Sequence, residues 1–351
     1  MNGPESLRVL IRCDATATLG MGHLMRCDTL AQQLVSAGVQ VSMLGPDSSY
    51  QGLLQASSYV EWTACPWRGD AVEARELAAQ VSEHGYDLLI IDDYRAGSAF
   101  QRLLAGFGSR WLQFYAPTSE EIHADIAVCS NPSVSAEHFI GRVRRAECQL
   151  LAGLQYALLR QEFVRLPQPR LRAGVQRLLL TFGGGDDRGL IQRVLFDLNH
   201  PAVEGLATRV ISGLNNPRNE SNRRWLASTA LPGVEYLVQP DNVAALLGWA
   251  DLAIMAGGTT AYEAARCGLP MLLVSVADNQ IAQSQAMQGL GCAHYLGGHE
   301  AIELGAFREH VLSLREAPDV LLAMSGSAVA AVDGRGCNRV VDAILSFLRR
   351  V

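Results

Sequence analysis

Short apolar runs that close on glycine or polar residues alternate with helix-patterned segments along this whole sequence, in two successive sets. LRVLIRC, VQVSMLG, DLLIIDDY, RWLQFYA and DIAVCS form the first. RLLLTFGGG, TRVISG, VEYLVQP, DLAIMAGG and PMLLVSVADN form the second, after the proline- and arginine-rich VRLPQPRLRAG from Val164 to Gly174. Runs that are apolar on both faces, separated by helices, belong to parallel sheets covered on either side. A chain of 351 residues has room for about two domains of ~150 residues each. The pattern therefore predicts an α/β protein of two Rossmann-like domains facing across a cleft, residues 1–165 and 174–335, joined near residue 168. A closing helix over 336–351, with Val340, Val341, Ala343, Ile344, Phe347 and Leu348 as its apolar set, suits either domain. Loops at the carboxyl ends of both sheets would meet in the cleft, a preferred place for a ligand.

The formal net charge is −6, and the 29 basic residues are all arginines scattered along the chain. That balance argues against a general nucleic-acid binder and against a polybasic membrane anchor. The opening MNGPESLRVLI lacks a basic leader followed by an apolar core, and no apolar run approaches the ~18 residues of a membrane span. Eight cysteines are irregularly spaced without a C-x-x-C pair, as expected of free thiols in a reducing cytosol. The expectation is a cytoplasmic protein with no metal or cofactor, no nucleic-acid partner and no membrane span.

The stretch LGMGHLMRCDTLAQQL, Leu19 to Leu34, joins a glycine turn, a histidine and a helix start. Gly20 and Gly22 allow backbone angles and close approaches that a side chain forbids. Leu24, Leu30, Ala31 and Leu34 fit one helical face, and unpaired N–H groups at such a helix end favour an anion such as a diphosphate. His23 at the helix mouth is then either an acid/base group beside a phosphate site or a residue that caps and packs the turn. Asp14, after the first strand, either orients and charges His23 or caps the following turn. Asp92, Asp93 and Tyr94 close another strand.

In the second half, Gly183, Gly184 and Gly185 precede Asp186 and Asp187, whose charge does not suit a phosphate cradle. Gly257 and Gly258 precede Thr259 and Thr260, whose hydroxyls and N–H groups donate to phosphate. Neither turn is a P-loop, and neither has the full G-x-G-x-x-G spacing of a nicotinamide site. Glu263, about one helical turn beyond the threonines, either accepts the hydroxyls of a ribose or pairs with Arg266. Asn279 and Gln280 follow an apolar strand, where amides orient a sugar or a water, or simply shape the turn. The remaining histidines lack ligand spacing, so no metal site is expected.

RCDATATLGMGHLMRCDTLAQQL, GLQYALLRQEF (Gly153 to Phe163), TFGGGDD, AGGTTAYEAARCGLP and ADNQ stand in the order seen in the UDP-sugar hydrolases of pseudaminic acid biosynthesis. The sequence resembles that family over most of its length, and the family in turn resembles the GT-B glycosyltransferases that include MurG. The resemblance implies a GT-B fold and hydrolysis of UDP-2,4-diacetamido-2,4,6-trideoxy-β-L-altropyranose to UDP and free sugar, without a metal, by water attacking the anomeric carbon. It makes His23 the general base or water-orienting residue and Asn279 a residue that places sugar or water. The diphosphate falls to Gly257, Gly258, Thr259 and Thr260, the ribose to Glu263, and the sugar pocket to Tyr94. Asp14, Gly20, Gly22, Gly184 and Gln280 complete the expected substrate-binding set, in a monomer whose partner is the UDP-sugar alone. Two positions depart from the family pattern. Its D-H-Y reads Asp92, Asp93, Tyr94 here, and the acidic D-D after the next strand is replaced by QFYAPTSEE. Both lie in the sugar-facing domain and bear on substrate identity more than on reaction type. An inverting glycosyltransferase, a sugar-nucleotide 2-epimerase and a non-catalytic nucleotide-sugar-binding protein are the rival readings.

Overall fold

The computed structural model describes residues 6–15, 21–54, 59–167, 169–229 and 231–350. The chain divides into two compact units: residues 1–160 with 334–351, and residues 161–333. The unit boundary lies between Arg160 and Gln161, so the Val164–Gly174 stretch is part of the second unit. Arg172 anchors it there, its buried guanidinium donating to the carbonyls of Ala250 (3.2 Å), Gly248 (3.2 Å) and Leu247 (3.4 Å).

In the first unit, seven parallel strands run β1 (Arg8–Cys13), β2 (Gln40–Gly45), β3 (Glu61–Ala64), β4 (Leu88–Asp92), β5 (Trp111–Phe114), β6 (Ile126–Cys129) and β7 (Gln149–Ala152) along the chain. Their order in the sheet is β3-β2-β1-β4-β5-β6-β7. Alternate residues of each strand face opposite sides. Val9, Ile11 and Cys13 pack with α1 (Gly22–Ser36), whereas Leu10, Leu89 and Ile91 pack with Ala74 and Leu77 of α2 (Ala71–Glu83) on the other side. The apolar set read for α1, Leu24, Leu30, Ala31 and Leu34, is fully buried.

The second unit repeats the plan with six strands: β8 (Arg177–Thr181), β9 (Ala207–Ser212), β10 (Val234–Val238), β11 (Leu252–Ala256), β12 (Met271–Ser275) and β13 (Ala293–Gly298). They are ordered β10-β9-β8-β11-β12-β13. Strand order therefore reverses between β1 and β4 in one sheet and between β8 and β11 in the other. The loops beyond the carboxyl ends diverge at such points and leave a crevice. β3, β7 and β13, not anticipated from the sequence, are all edge strands. The helix expected over 336–351 spans Gly336–Leu348, and Val340, Val341, Ile344 and Leu348 share the core of the first unit with α1. Among the described residues no helix is long and apolar enough to cross a membrane.

Candidate functional site

At the reversal point of the first sheet, Cys13 of β1 lies opposite Asp92 of β4. The helix α1 that follows β1 thus begins beside the last residue of β4. Burial of Leu24 and Cys27 fixes the roll of α1, and His23 and Arg26, three residues apart on one face, turn toward Asp92. His23 Nδ1 lies 2.6 Å from Asp92 Oδ1, and Arg26 reaches the same carboxylate through Nε (2.7 Å to Oδ2) and a terminal nitrogen (2.5 Å to Oδ1). Cys27 Sγ adds a weak donor 3.6 Å from Oδ2. Arg26 also donates to the Tyr94 hydroxyl at 3.2 Å, and its guanidinium lies 4.4 Å from the centre of the Phe114 ring. The Tyr94 ring stands edge-on to His23, with centroids 4.8 Å apart.

Asp92 is wholly buried, which alone would raise its carboxyl pKa; the charge of Arg26 and the hydrogen bonds from Arg26 and His23 outweigh that burial and hold it well below the usual carboxylate range. An ionised Asp92 decides the imidazole tautomer. The terminal Arg26 nitrogen also lies 3.3 Å from Nδ1, but an arginine has no lone pair to offer. Only the carboxylate can accept from this ring nitrogen, so Nδ1 carries the hydrogen and donates to Asp92. The lone pair of the neutral ring is then on Nε2. The His23 side chain is 18% exposed and Asp92 is fully covered, which is the arrangement of a base oriented from behind.

Asp14 does not orient His23. Its carboxylate accepts from the Ala15 amide (2.9 Å) and from Arg95 (2.7 Å). Arg95 is also tied to Asp93, by its own amide and Nε at 2.9 Å and a terminal nitrogen at 2.5 Å. Asp93, which stands where the resembled family has a histidine, is therefore turned toward Arg95, and the exposed Arg95 guanidinium ties its buried carboxylate to that of Asp14. Gly22 is the first residue of α1, outside the left-handed region, with open space where a Cβ would stand. Backbone strain thus gives no reason for that glycine. Gly20 lies outside the described residues.

In the second unit, Gly184 follows β8, and a Cβ on Gly213 would overlap its backbone. Asp187, whose charge already spoke against a phosphate cradle, is taken up inside the protein. Buried beneath the loop, it accepts from Asn216 (2.8 Å), Asn222 (2.9 Å) and the Gly189 amide (2.7 Å). Gly257 and Gly258 follow β11, and Thr260 opens α3 (Thr260–Arg266), on which Glu263 is buried. A Cβ on Gly257 would overlap the Ser284 hydroxyl of the helix Ile281–Gly289, so packing already demands this glycine. Thr259 is exposed, and its side chain does not cap α3. Asn279 is exposed in the turn after β12, whereas Gln280 braces that turn, its Oε1 accepting from the Val276 amide at 3.0 Å. Gln283 ties the two turns together, donating to the Gly258 carbonyl at 2.8 Å and accepting from the Tyr262 hydroxyl at 2.7 Å. His23 and Tyr94 thus stand together in one unit, and the Gly257–Glu263 and Asn279–Gln280 segments in the other.

The partners that the sequence did not single out are Arg26 in the first unit and Gln283 and Ser284 in the second; Asp92 was noted in the D-D-Y segment but not as the partner of His23. The signal for Arg26 was its spacing from His23, which puts both on one helical face. For Gln283 and Ser284 it was their place one turn beyond the ADNQ segment.

No known family profile matches the chain. It is 23% identical over 350 residues to the spore coat polysaccharide biosynthesis protein SpsG of Bacillus subtilis, covering 97% of this chain and 98% of that protein. It is 26% identical over 197 residues to the UDP-2,4-diacetamido-2,4,6-trideoxy-beta-L-altropyranose hydrolase of Campylobacter jejuni, covering 55% of this chain and 66% of that one. Among solved structures, MurG of Acinetobacter baumannii superposes with a TM-score of 0.66 at 17% identity, over 97% of this chain and 99% of that chain. The chain has the GT-B fold, two parallel-sheet α/β domains of seven and six strands.

Proposed function

We propose that this chain is a UDP-sugar hydrolase that releases UDP and the free sugar from a UDP-linked diacetamido-trideoxy sugar, within pseudaminic or a related nonulosonic acid biosynthesis. The observation that carries the reading is the His23 Nδ1–Asp92 contact of 2.6 Å at the reversal point of the first sheet. It leaves Nε2 as the basic atom of a partly exposed imidazole. A water oxygen attacks the anomeric carbon on the face opposite UDP, and Nε2 takes the proton that the water gives up. The anomeric carbon–oxygen bond to UDP breaks, its electron pair leaves with the diphosphate, and the anomeric centre inverts. The chain would act as a monomer, in the cytoplasm.

The resemblance assigns the nucleotide to the second unit. Backbone N–H groups of the Gly257–Thr260 turn would meet the diphosphate, a form of charge stabilisation that can be worth a few kcal/mol. Glu263 would take the ribose, Asn279 would place the sugar or the water, and Gly184 and Gln280 would border the nucleotide. Tyr94, 46% exposed beside His23, would line the sugar pocket, and the exposed edge of the Asp14–Arg95–Asp93 knot adjoins it in sequence. The 26% identity to the Campylobacter jejuni hydrolase supports the choice of water over another hydroxyl.

The test is UDP release from the diacetamido-trideoxy-altrose nucleotide, without acceptor or added metal, by the unaltered protein and by His23→Ala. Release by the unaltered protein alone supports both the hydrolase and its base. Release that requires an added hydroxyl acceptor replaces the hydrolase by an inverting transferase. UDP binding without turnover of any such sugar replaces it by a nucleotide-sugar-binding protein.

A further inference from the structure

Arg26 has no part in the reading above, yet it is the most heavily engaged side chain around His23. Its side chain is 13% exposed, it makes both of its strong contacts to the carboxylate that holds His23, and its guanidinium lies 4.4 Å from the centre of the Phe114 ring and 5.5 Å from that of Tyr94. A single buried carboxylate beside an imidazole favours the imidazolium, because the ion pair is the neutral arrangement of the two. An imidazolium cannot accept a proton. Arg26 supplies the positive charge that Asp92 requires, and it is charged at every pH of interest.

Resting on the hydrolase reading, we propose that Arg26 is a positioning residue that neutralises Asp92, so that the carboxylate orients His23 without charging it. The groups facing the imidazole and Asp92 from each packed element are consistent with this count. Among the described residues they are Arg26 and Cys27 from α1, Cys13 from β1, Asp92 from the end of β4 and Tyr94 beyond it, with the apolar Phe114 of β5 against Arg26. The nearest other carboxylates, Asp14 and Asp93, are spent on Arg95. Asp92, Arg26 and a neutral His23 sum to zero charge; without Arg26 the sum is restored by one added proton, which the imidazole, the more basic of the two groups, takes.

The decisive experiment is a titration of the imidazoles by nitrogen-15 and proton NMR on the full chain without substrate, with His23 assigned from His23→Gln. In Arg26→Met the midpoint of His23 moves up by at least one pH unit relative to the unsubstituted protein. Arg26→Lys, which keeps the charge, restores most of the original midpoint, and so does the double variant Arg26→Met/Asp92→Asn. The acidic limb of the UDP-release profile follows the same shift, so kcat of Arg26→Met recovers at alkaline pH. A His23 midpoint that stays within 0.3 pH unit in Arg26→Met overturns the proposal. So does a neutral His23 of the unsubstituted protein that carries its hydrogen on Nε2, a measurement that needs no variant to fold. Because both readouts are independent of turnover, a shifted midpoint in a protein that hydrolyses no UDP-sugar would refute the function and leave the role of Arg26 standing.

Discussion

Replacing Asp92 by asparagine isolates the central charge of the first unit. The carboxylate takes two contacts from Arg26 (2.7 and 2.5 Å), one from His23 (2.6 Å) and a long one from Cys27 (3.6 Å). An amide offers one oxygen, and its NH2 must face the donors of either Arg26 or His23. Arg26 is left as a nearly buried cation without a counter-charge. Removing one partner from a buried ion pair costs about 3–5 kcal/mol. Some exposure of Arg26 places this case near the lower end, about 3 kcal/mol, or roughly 6–12 °C for a unit of this size. The pH dependence follows from the direction of the Asp92 shift. Its carboxyl is held below the unfolded value of about 3.9, so its contribution is fully present above that value and is lost as pH falls through the depressed native one. The deficit of Asp92→Asn therefore persists from pH 8 down to pH 5 and closes only in stronger acid. Calorimetry at a series of pH values, with the two units resolved as separate transitions, measures it. A deficit below 1 kcal/mol at pH 7, or one already gone at pH 5, would refute the assignment of Asp92 as an ionised, doubly paired carboxylate.

His23→Ala lowers UDP release by about 10²–10⁴-fold, the range of a lost general base, while UDP affinity measured by calorimetric titration stays near that of the unsubstituted protein. Gly257→Ala destabilises the second unit by about 1–3 kcal/mol because the new methyl meets the Ser284 hydroxyl. Gly257→Ala/Ser284→Ala recovers most of that loss in denaturant unfolding, and strict additivity of the two changes would count against the packing account. Asp28 is buried, and that burial pushes its carboxyl up to about 6 against the opposing hydrogen bond from Gln32. Folding stability contributed at this position therefore declines as pH rises from about 4 to about 6. Asp28→Asn stabilises by about 1–3 kcal/mol at pH 7.5 and has little effect at pH 4; an equal effect at both would assign the change to packing instead.

Most of the strands that the sequence revealed are covered on both faces, such as β1, β4, β8, β11 and β12, and the edge strand β10 showed itself through Val234, Tyr236, Leu237 and Val238. β3, β7 and β13 escaped because an edge strand needs no continuous apolar run; Glu61, Thr63 and Ala64 of β3 are exposed. The site was legible where one segment carries it, as in His23 and α1. It was not legible where the sheet assembles it. Asp14 is nine positions from His23 and Asp92 is 69 away, but a parallel sheet brings together strand ends distant in sequence, and the pairing Cys13–Asp92 favours the remote carboxylate. Likewise Asp93 reads as a pocket residue from its place in D-D-Y, and only the turn back onto Arg95 takes it out of that role.

The return of Gly336–Leu348 to pack on α1 has a consequence for how the protein is made. The chain leaves the first unit after residue 160 and re-enters it at residue 334, so the second unit is topologically an insertion. At roughly 5–20 residues per second, about 10–40 s of synthesis separate the emergence of β7 from that of the helix that completes its core. Throughout that interval α1 lacks the apolar cover that Val340, Val341 and Ile344 later provide. The helix that carries His23 acquires this backing only after the whole second unit has been synthesised, so a chain that stops short of residue 336 would hold a finished second unit beside a first unit still open to chaperones and proteases.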